Sequence, residues 1–104
     1  MSMGGSRLSV VHVRPLDSSA LGEGARGAYA NILARADNDE EYVAVVRAEM
    51  AERQLFVVDF DTIRLITPDV LADCEDEIHE LAAEISAEYP VQYRTFDTYY
   101  TDDA

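Results

Sequence analysis

Residues 69–89, DVLADCEDEIHELAAEISAEY, constrain the fold more than any other stretch of the chain. Advanced by about 100° per residue, Leu71, Cys74, Ile78, Leu81, Ala82, Ile85 and Tyr89 gather on one side. Asp69, Asp73, Asp76, Glu77, Glu80, Glu84 and Glu88 gather on the other. A helix with one apolar stripe must lay that stripe on a second layer of structure. The flanking stretches Leu55–Ile66 (LFVVDFDTIRLI) and Val91–Tyr100 (VQYRTFDTYY) are rich in β-branched and aromatic residues and read as strands. The expected partner of the helix is therefore a sheet.

The same helix is expected to begin at Thr67-Pro68, a capping residue followed by proline at the first helical position, and to stop before Pro90. Arg7–Arg14 (RLSVVHVR) reads as a first strand ending at Pro15. Ala20–Arg35 places Leu21, Ala25, Ala28, Tyr29, Ile32 and Leu33 at helical spacing. Its three glycines weaken the first turns by roughly 1 kcal/mol each, so this helix is firmest from Ala25. Asp37–Asp39 recaps the chain, and Asp39–Arg53 is a second helix with Tyr42, Val43, Val46 and Met50 on one face. Within Leu55–Ile66 the alternation of Phe56, Val58 and Phe60 changes phase at Ile63 and Leu65, which predicts a bulge or tight hairpin near Asp59–Thr62.

The order β-α-α-β-α-β, with an extra strand if the hairpin forms, predicts an α+β fold: a small ferredoxin-like or related sandwich, helices packed on one face of a mostly antiparallel sheet. A length of 104 residues supports one core. Residues 1–6 read as a flexible start, 7–100 as a single α+β domain and 101–104 as an acidic tail.

Charge narrows the function classes. Eight arginines and no lysine face 21 acidic residues, for a net charge of −13. Such a surface repels nucleic acid and anionic membranes and favours basic partners or high salt. A salt-adapted source, a GC-rich genome or a dedicated binding surface would each produce it. No apolar run approaches the roughly 18 residues of a membrane span, no basic-then-apolar leader opens the chain, and the lone Cys74 forms no internal disulfide. The expected location is cytoplasmic.

The motifs that suggest enzymes fail on context. Gly22, Gly24 and Gly27 spell G-x-G-x-x-G, but a dinucleotide-binding turn needs its first glycine directly after a strand, and Pro15–Leu21 intervenes. Asp59-Phe60-Asp61-Thr62 resembles the nucleophile motif of haloacid dehalogenase-type phosphatases, yet the chain lacks the phosphate-binding lysine and a sizeable following domain. Asp37-Asn38-Asp39 begins like a calcium loop without its glycine, and Cys74, His12 and His79 have no metal-ligand spacing. The expectation is a protein with no catalytic residues, no cofactor and no metal.

What remains is the acidic stripe. It covers roughly 120° of arc and about 28 Å of helix, with like charges at i,i+4 that cost a few tenths of a kcal/mol each. One carboxylate per ~4 Å is close to the ~3.4 Å between phosphates of one DNA strand. Asp73, Glu77, Glu80, Glu84 and Glu88 are the candidate partner-binding acids, with Tyr93, Tyr99 and Tyr100 as aromatic anchors. A homodimer through the last strand is a second use of those rings.

The C-terminal third, DEIHELAAEISAEY followed by VQYRTFDTYYTDD, resembles the end of the ribonuclease E inhibitor (regulator of ribonuclease activity B) family, in which an acidic helix leads into an aromatic strand. The resemblance implies a small acidic α+β protein that acts by binding an enzyme. The first 65 residues depart from that pattern, and no site residue is carried over. The expected function is a non-catalytic acidic protein that inhibits or masks a basic partner, such as a nuclease or nucleic-acid-binding enzyme. It would act as immunity proteins, antitoxins and nucleic-acid mimics do. The alternative is a structural or assembly subunit of a salt-adapted organism with generic acidity.

Overall fold

β1 (Ser6–Pro15) and β2 (Gly27–Arg35) form a long antiparallel pair, in register from Ser6↔Arg35 to Val13↔Ala28. The computed structural model describes residues 5–17 and 19–100. Most of the expected flexible start, and all of the acidic tail, lie outside the described residues.

The helix expected over Ala20–Arg35 does not form: Gly27–Arg35 is a strand. Ala28, Ala30, Ile32 and Ala34 alternate into one core, and Gly27, Tyr29, Asn31 and Leu33 take the opposite face. Alanine fits a period of two as readily as one of 3.6, and pairing with β1 decides between them. Gly22 and Gly24 adopt left-handed backbone, φ 97° and 85°, inside the β1–β2 connection, where a side chain would be strained. The glycine pattern is therefore turn chemistry.

α1 (Asp39–Glu52) starts where expected. Asn38 Oδ1 accepts from the Glu41 amide at 2.8 Å, and Glu41 Oε1 accepts from the Asp37 amide at 3.0 Å, which satisfies two N-terminal donors. Tyr42, Val46 and Met50 are fully buried against the small residues of β2. Large side chains on the helix fill the space that alanines leave on the strand.

β3 (Leu55–Phe60) and β4 (Arg64–Ile66) run in line along the same side of β1. They are one interrupted strand and not a hairpin. A register shift lies opposite His12/Val13. At the interruption the Asp61 amide donates to the Val10 carbonyl at 2.9 Å, and the buried Ser9 hydroxyl donates to the Asp61 carbonyl at 2.9 Å. β5 (Val91–Gln92) and β6 (Asp97–Tyr99) likewise run in line along β2. The sheet has six antiparallel strands in the order β3-β1-β2-β5, with β4 beside β1 and β6 beside β2. The α+β class and the antiparallel sheet are as expected. The chain opens with a paired β1–β2 instead of a strand–helix unit, so the sandwich is a related one rather than ferredoxin-like.

The long acidic helix is broken. α2 (Pro68–Ala72) and α3 (Asp76–Glu84) are separated by Asp73–Glu75, and Ile85 is already extended. A continuous helix would stack Asp69 on Asp73 and Asp73 on Glu77 at i,i+4, among residues of modest helix propensity. The break relieves that repulsion. It still lets Leu71, Cys74, Ile78 and Leu81 reach Leu8 and Leu33 in a second cluster.

Leu33 follows Ile32 along β2, so the second cluster lies on the face opposite α1. The helices therefore divide between the two faces and do not share one. α1 covers its face broadly, while α2 and α3 cap only the Leu8–Leu33 end of the other.

Candidate functional site

Beyond the Leu8–Leu33 end, no helix among the described residues lies over the second face. Strand alternation directs Val10 and His12 of β1, Tyr29 and Asn31 of β2, Phe56 of β3 and Tyr99 of β6 to this face. Val10 is 39% exposed, Tyr29 42% and Phe56 43%; Val58, at the register shift, is 45% exposed. An antiparallel sheet with one open face ordinarily presents polar residues there. This one presents apolar and aromatic side chains.

Its centre is a cluster of rings. His12 stacks on Tyr29 with centroids 4.6 Å apart and planes 16° from parallel. Tyr99 lies 5.6 Å from His12 and 5.9 Å from Tyr29. Gly27 makes room for it: a Cβ there would fall 2.3 Å from the Tyr99 hydroxyl. Burial holds the His12 imidazole below its ordinary 6.5; Arg14 adds to this, and Asp59 opposes it. His12 Nε2 and the Tyr99 hydroxyl are hydrogen-bonded at 2.6 Å.

The flank of α2 and α3 forms one wall of a groove across this face. Three hollows of about 480, 360 and 310 Å³ all include Asn31 in their lining. At one end lie Asp61 and Arg64, in the middle Asn31 and Ile78, and at the other end Glu77 and Asp97. Asn31 Nδ2 donates to Glu77 Oε1 at 3.2 Å, tying floor to wall.

The eight acids and tyrosines singled out in the sequence do not form one surface. Asp73 is the C-cap of α2 and, with Glu77, borders the groove. Glu80 and Glu84 both face Arg94: the Arg94 Nε–Glu80 distance is 3.4 Å, and Arg94 also bonds Glu84 directly. One arginine answers two carboxylates, so the pair is partly compensated by the chain itself and is not a fully uncompensated acidic row. Glu88 sits beyond α3 and lines a separate hollow with Glu49, Arg53 and Tyr93. The Tyr93 hydroxyl donates to Glu49 Oε2 at 2.8 Å, and its ring packs on Phe96 with Arg53 4.8 Å above it. The gap between β5 and β6 breaks the alternation of the last strand, so Tyr93 and Phe96 join the α1 side and Tyr99 the open face. Tyr100 is exposed near Gly24 and Thr98. Of the eight, Asp73, Glu77, Glu80 and Tyr99 border the open face or its groove.

Asp59 pairs across from His12 in the sheet register, and the Asp61 carboxylate caps the Thr62 amide at 2.8 Å. Among the described residues no group of three or more His, Cys, Asp or Glu side chains is placed to hold a metal ion. Cys74 is half-buried, its thiol directed at the Val70 carbonyl. No helix among the described residues is long and apolar enough to cross a membrane.

The open face thus offers stacked rings, an apolar floor and a carboxylate border, which suit binding by contact. No family model, curated protein or solved structure matches this chain. The functional reading therefore rests on the site alone.

His12, Tyr29, Val10 and Asp97 were not among the residues singled out. Strand alternation placed the first three on one side of their strands without joining them into a cluster, and nothing marked Asp97. Leu8, Val10 and His12 alternate against the buried Val11 and Val13, and Tyr29, Asn31 and Leu33 alternate against alanines.

Proposed function

We propose that this chain is a non-catalytic acidic binding protein that masks a basic protein partner. A nuclease or nucleic-acid-binding enzyme is the class its charge suits. The carrying observation is the open half of the second sheet face, where exposed Val10, Tyr29, Phe56 and Val58 are bordered by Asp59, Asp61, Asp97 and Glu77 in a chain of net charge −13. Aromatic and apolar side chains supply contact energy, and the surrounding carboxylates steer and select a positive surface. Immunity proteins, antitoxins and nucleic-acid-mimic inhibitors work in this way. The acidic contribution is a border around a face, because the helical rod that would imitate a phosphate row is interrupted at Asp73–Glu75.

The test is affinity capture from the source lysate at about 0.05 M and about 0.5 M salt, which shortens electrostatic reach to a few ångströms. Wild type is compared with a Tyr29→Ser/Asp97→Lys variant. A basic protein held by wild type at low salt, released at high salt and not held by the variant supports the reading. Retention that ignores the variant overturns it.

A second reading, a structural subunit of a salt-adapted organism, has one observation in its favour. Acidic residues occupy the first turns of α1, α2 and α3 alike, a general distribution. It requires that the chain fold poorly at low salt and that no partner depend on the open face.

A further inference from the structure

α1 crosses one sheet face as a full layer, and α2–α3 cross the other as half of one. α2 lies over the β4 edge and α3 over β2 and β5, so this pair spans the sheet from side to side. The groove beside it spans the same distance, from Asp61 and Arg64 past Asn31 to Glu77 and Asp97. Four strand positions are about 15 Å across at 4.8 Å per strand. A helix of about ten residues has that length. Helices pack side by side at roughly 8–10 Å, the room a neighbour of α3 needs over His12 and Tyr29.

The charges choose the occupant. The ends of the groove carry Asp61, Glu77 and Asp97, with Asp59 facing His12 along one side and Asp73 and Glu75 at the α2–α3 joint; against these six carboxylates stand Arg64 at the Asp61 end and Arg14, paired with Phe56 on the same face, so the balance stays acidic. Arg94, at the Asp97 end, is committed to Glu80 and Glu84. A second copy of the chain would bring two bodies of charge −13 together on their acidic borders. A positively charged segment with one apolar face meets both the floor and the border.

We infer that the open half of the second sheet face receives an amphipathic basic helix of about three turns from the partner, laid beside α2 and α3 so that it completes the missing layer. This rests on the binding reading above and adds the partner's local structure to it. Helix-in-groove recognition places apolar anchors at i, i+3, i+4 and i+7. Here they sit on Val10, His12, Tyr29 and Tyr99, and lysines or arginines on the helix flanks reach Asp59, Asp97 and Glu77.

The test uses the full chain and three synthetic peptides of about 14 residues. One carries leucine and lysine at helical spacing, one has the same composition in strict alternation, and one is helical with glutamate for lysine. Binding is followed by fluorescence anisotropy at about 0.15 M salt and peptide helicity by circular dichroism. The helical leucine–lysine peptide should bind and gain helix. Tyr29→Ser and Asp97→Lys should each weaken it about tenfold or more (~1.4 kcal/mol). Glu40→Lys, in the exposed first turn of α1, makes the same charge change as Asp97→Lys at a distance and should leave affinity within about twofold. Native far-ultraviolet spectra of the variants exclude unfolding as the cause.

Equal weakening by Glu40→Lys and Asp97→Lys would reduce the effect to net charge and overturn the inference. Preferential binding of the alternating peptide, sensitive to Tyr29→Ser, would overturn the helical occupant while leaving the binding reading standing. Failure of both lysine peptides together with failure of the lysate capture would overturn both. Failure of the peptides with a captured, face-dependent partner would overturn this inference alone.

Discussion

Gln54 holds left-handed backbone, φ 62°, just after α1. Its amide donates to the Ala51 carbonyl and its carbonyl accepts from Leu16, so the chain turns from helix to strand at this residue. Glycine adopts that conformation without a Cβ penalty. Gln54→Gly should raise the unfolding free energy by about 0.5–1 kcal/mol in urea titrations. At Tyr42 the hydroxyl donates to the Ile32 carbonyl at 2.6 Å inside the core, and burial pushes its pKa up, so it stays a donor throughout the working range. Tyr42→Phe leaves that carbonyl without this partner and should cost about 1 kcal/mol, read from the same titrations. His12 behaves differently because its folded form prefers to be neutral. As pH falls, the unfolded chain takes up the proton first. The stability this group contributes is complete above about 6.5 and is lost as pH falls through the lower native value. Wild type should therefore lose stability relative to His12→Asn between about pH 7 and pH 5. A difference that stays constant across that range would refute the assignment.

Among the elements, β6 is the one whose attachment can be dissected. Its three residues are held to β2 by the pairing of Gly27 with Tyr99 and by the Arg26 amide, which donates to the Tyr99 carbonyl at 2.8 Å. Gly27→Ala would force the Tyr99 ring away from its seat and from His12. The expected cost is about 1–2 kcal/mol, with faster hydrogen exchange at the Arg26 amide while the amides of α1 keep their protection. α1 was legible because its signals are local: the Asn38…Glu41 capping pair and the Tyr42, Val46, Met50 face lie within a few turns. The interruption near Asp59–Thr62 was legible from a change of phase, and the α2 start from Thr67-Pro68. β2 was not, since Ala28, Ala30 and Ala34 suit either period and only pairing with β1 selects one. The acidic rod was not, because apolar positions can share a helical stripe and still reach one cluster across a break. Of the site, Tyr99 was visible by type. His12 and Tyr29 were hidden, because what joins them to it is register across strands distant in sequence.

For the molecule as a whole, the dimensions of 45 × 25 × 21 Å confine 21 carboxylates and eight arginines to a small, elongated body. Several arginines act inside it: Arg7 on Asp39, Arg53 on Glu49, Arg94 on Glu80 and Glu84. The excess negative charge repels itself over distances near the ~10 Å Debye length at 0.1 M salt. Raising sodium chloride from about 0.05 M to about 0.5 M should lift the thermal midpoint by several degrees. It should also weaken partner binding, so one titration would move the two quantities in opposite directions. β1 governs how the sheet tolerates shortening. It lies between β2 on one side and β3 and β4 on the other, although it comes first in sequence among the described strands. Trimming Ser6–Leu8 would strip pairings from two neighbours at once and take Leu8 out of the second cluster. Losing an equal length at Asp97–Tyr99 would strip pairings from β2 alone, but would take Tyr99 out of the ring cluster on the open face. Shortening at Ser6–Leu8 is therefore felt through the sheet, and shortening at Asp97–Tyr99 through the open face.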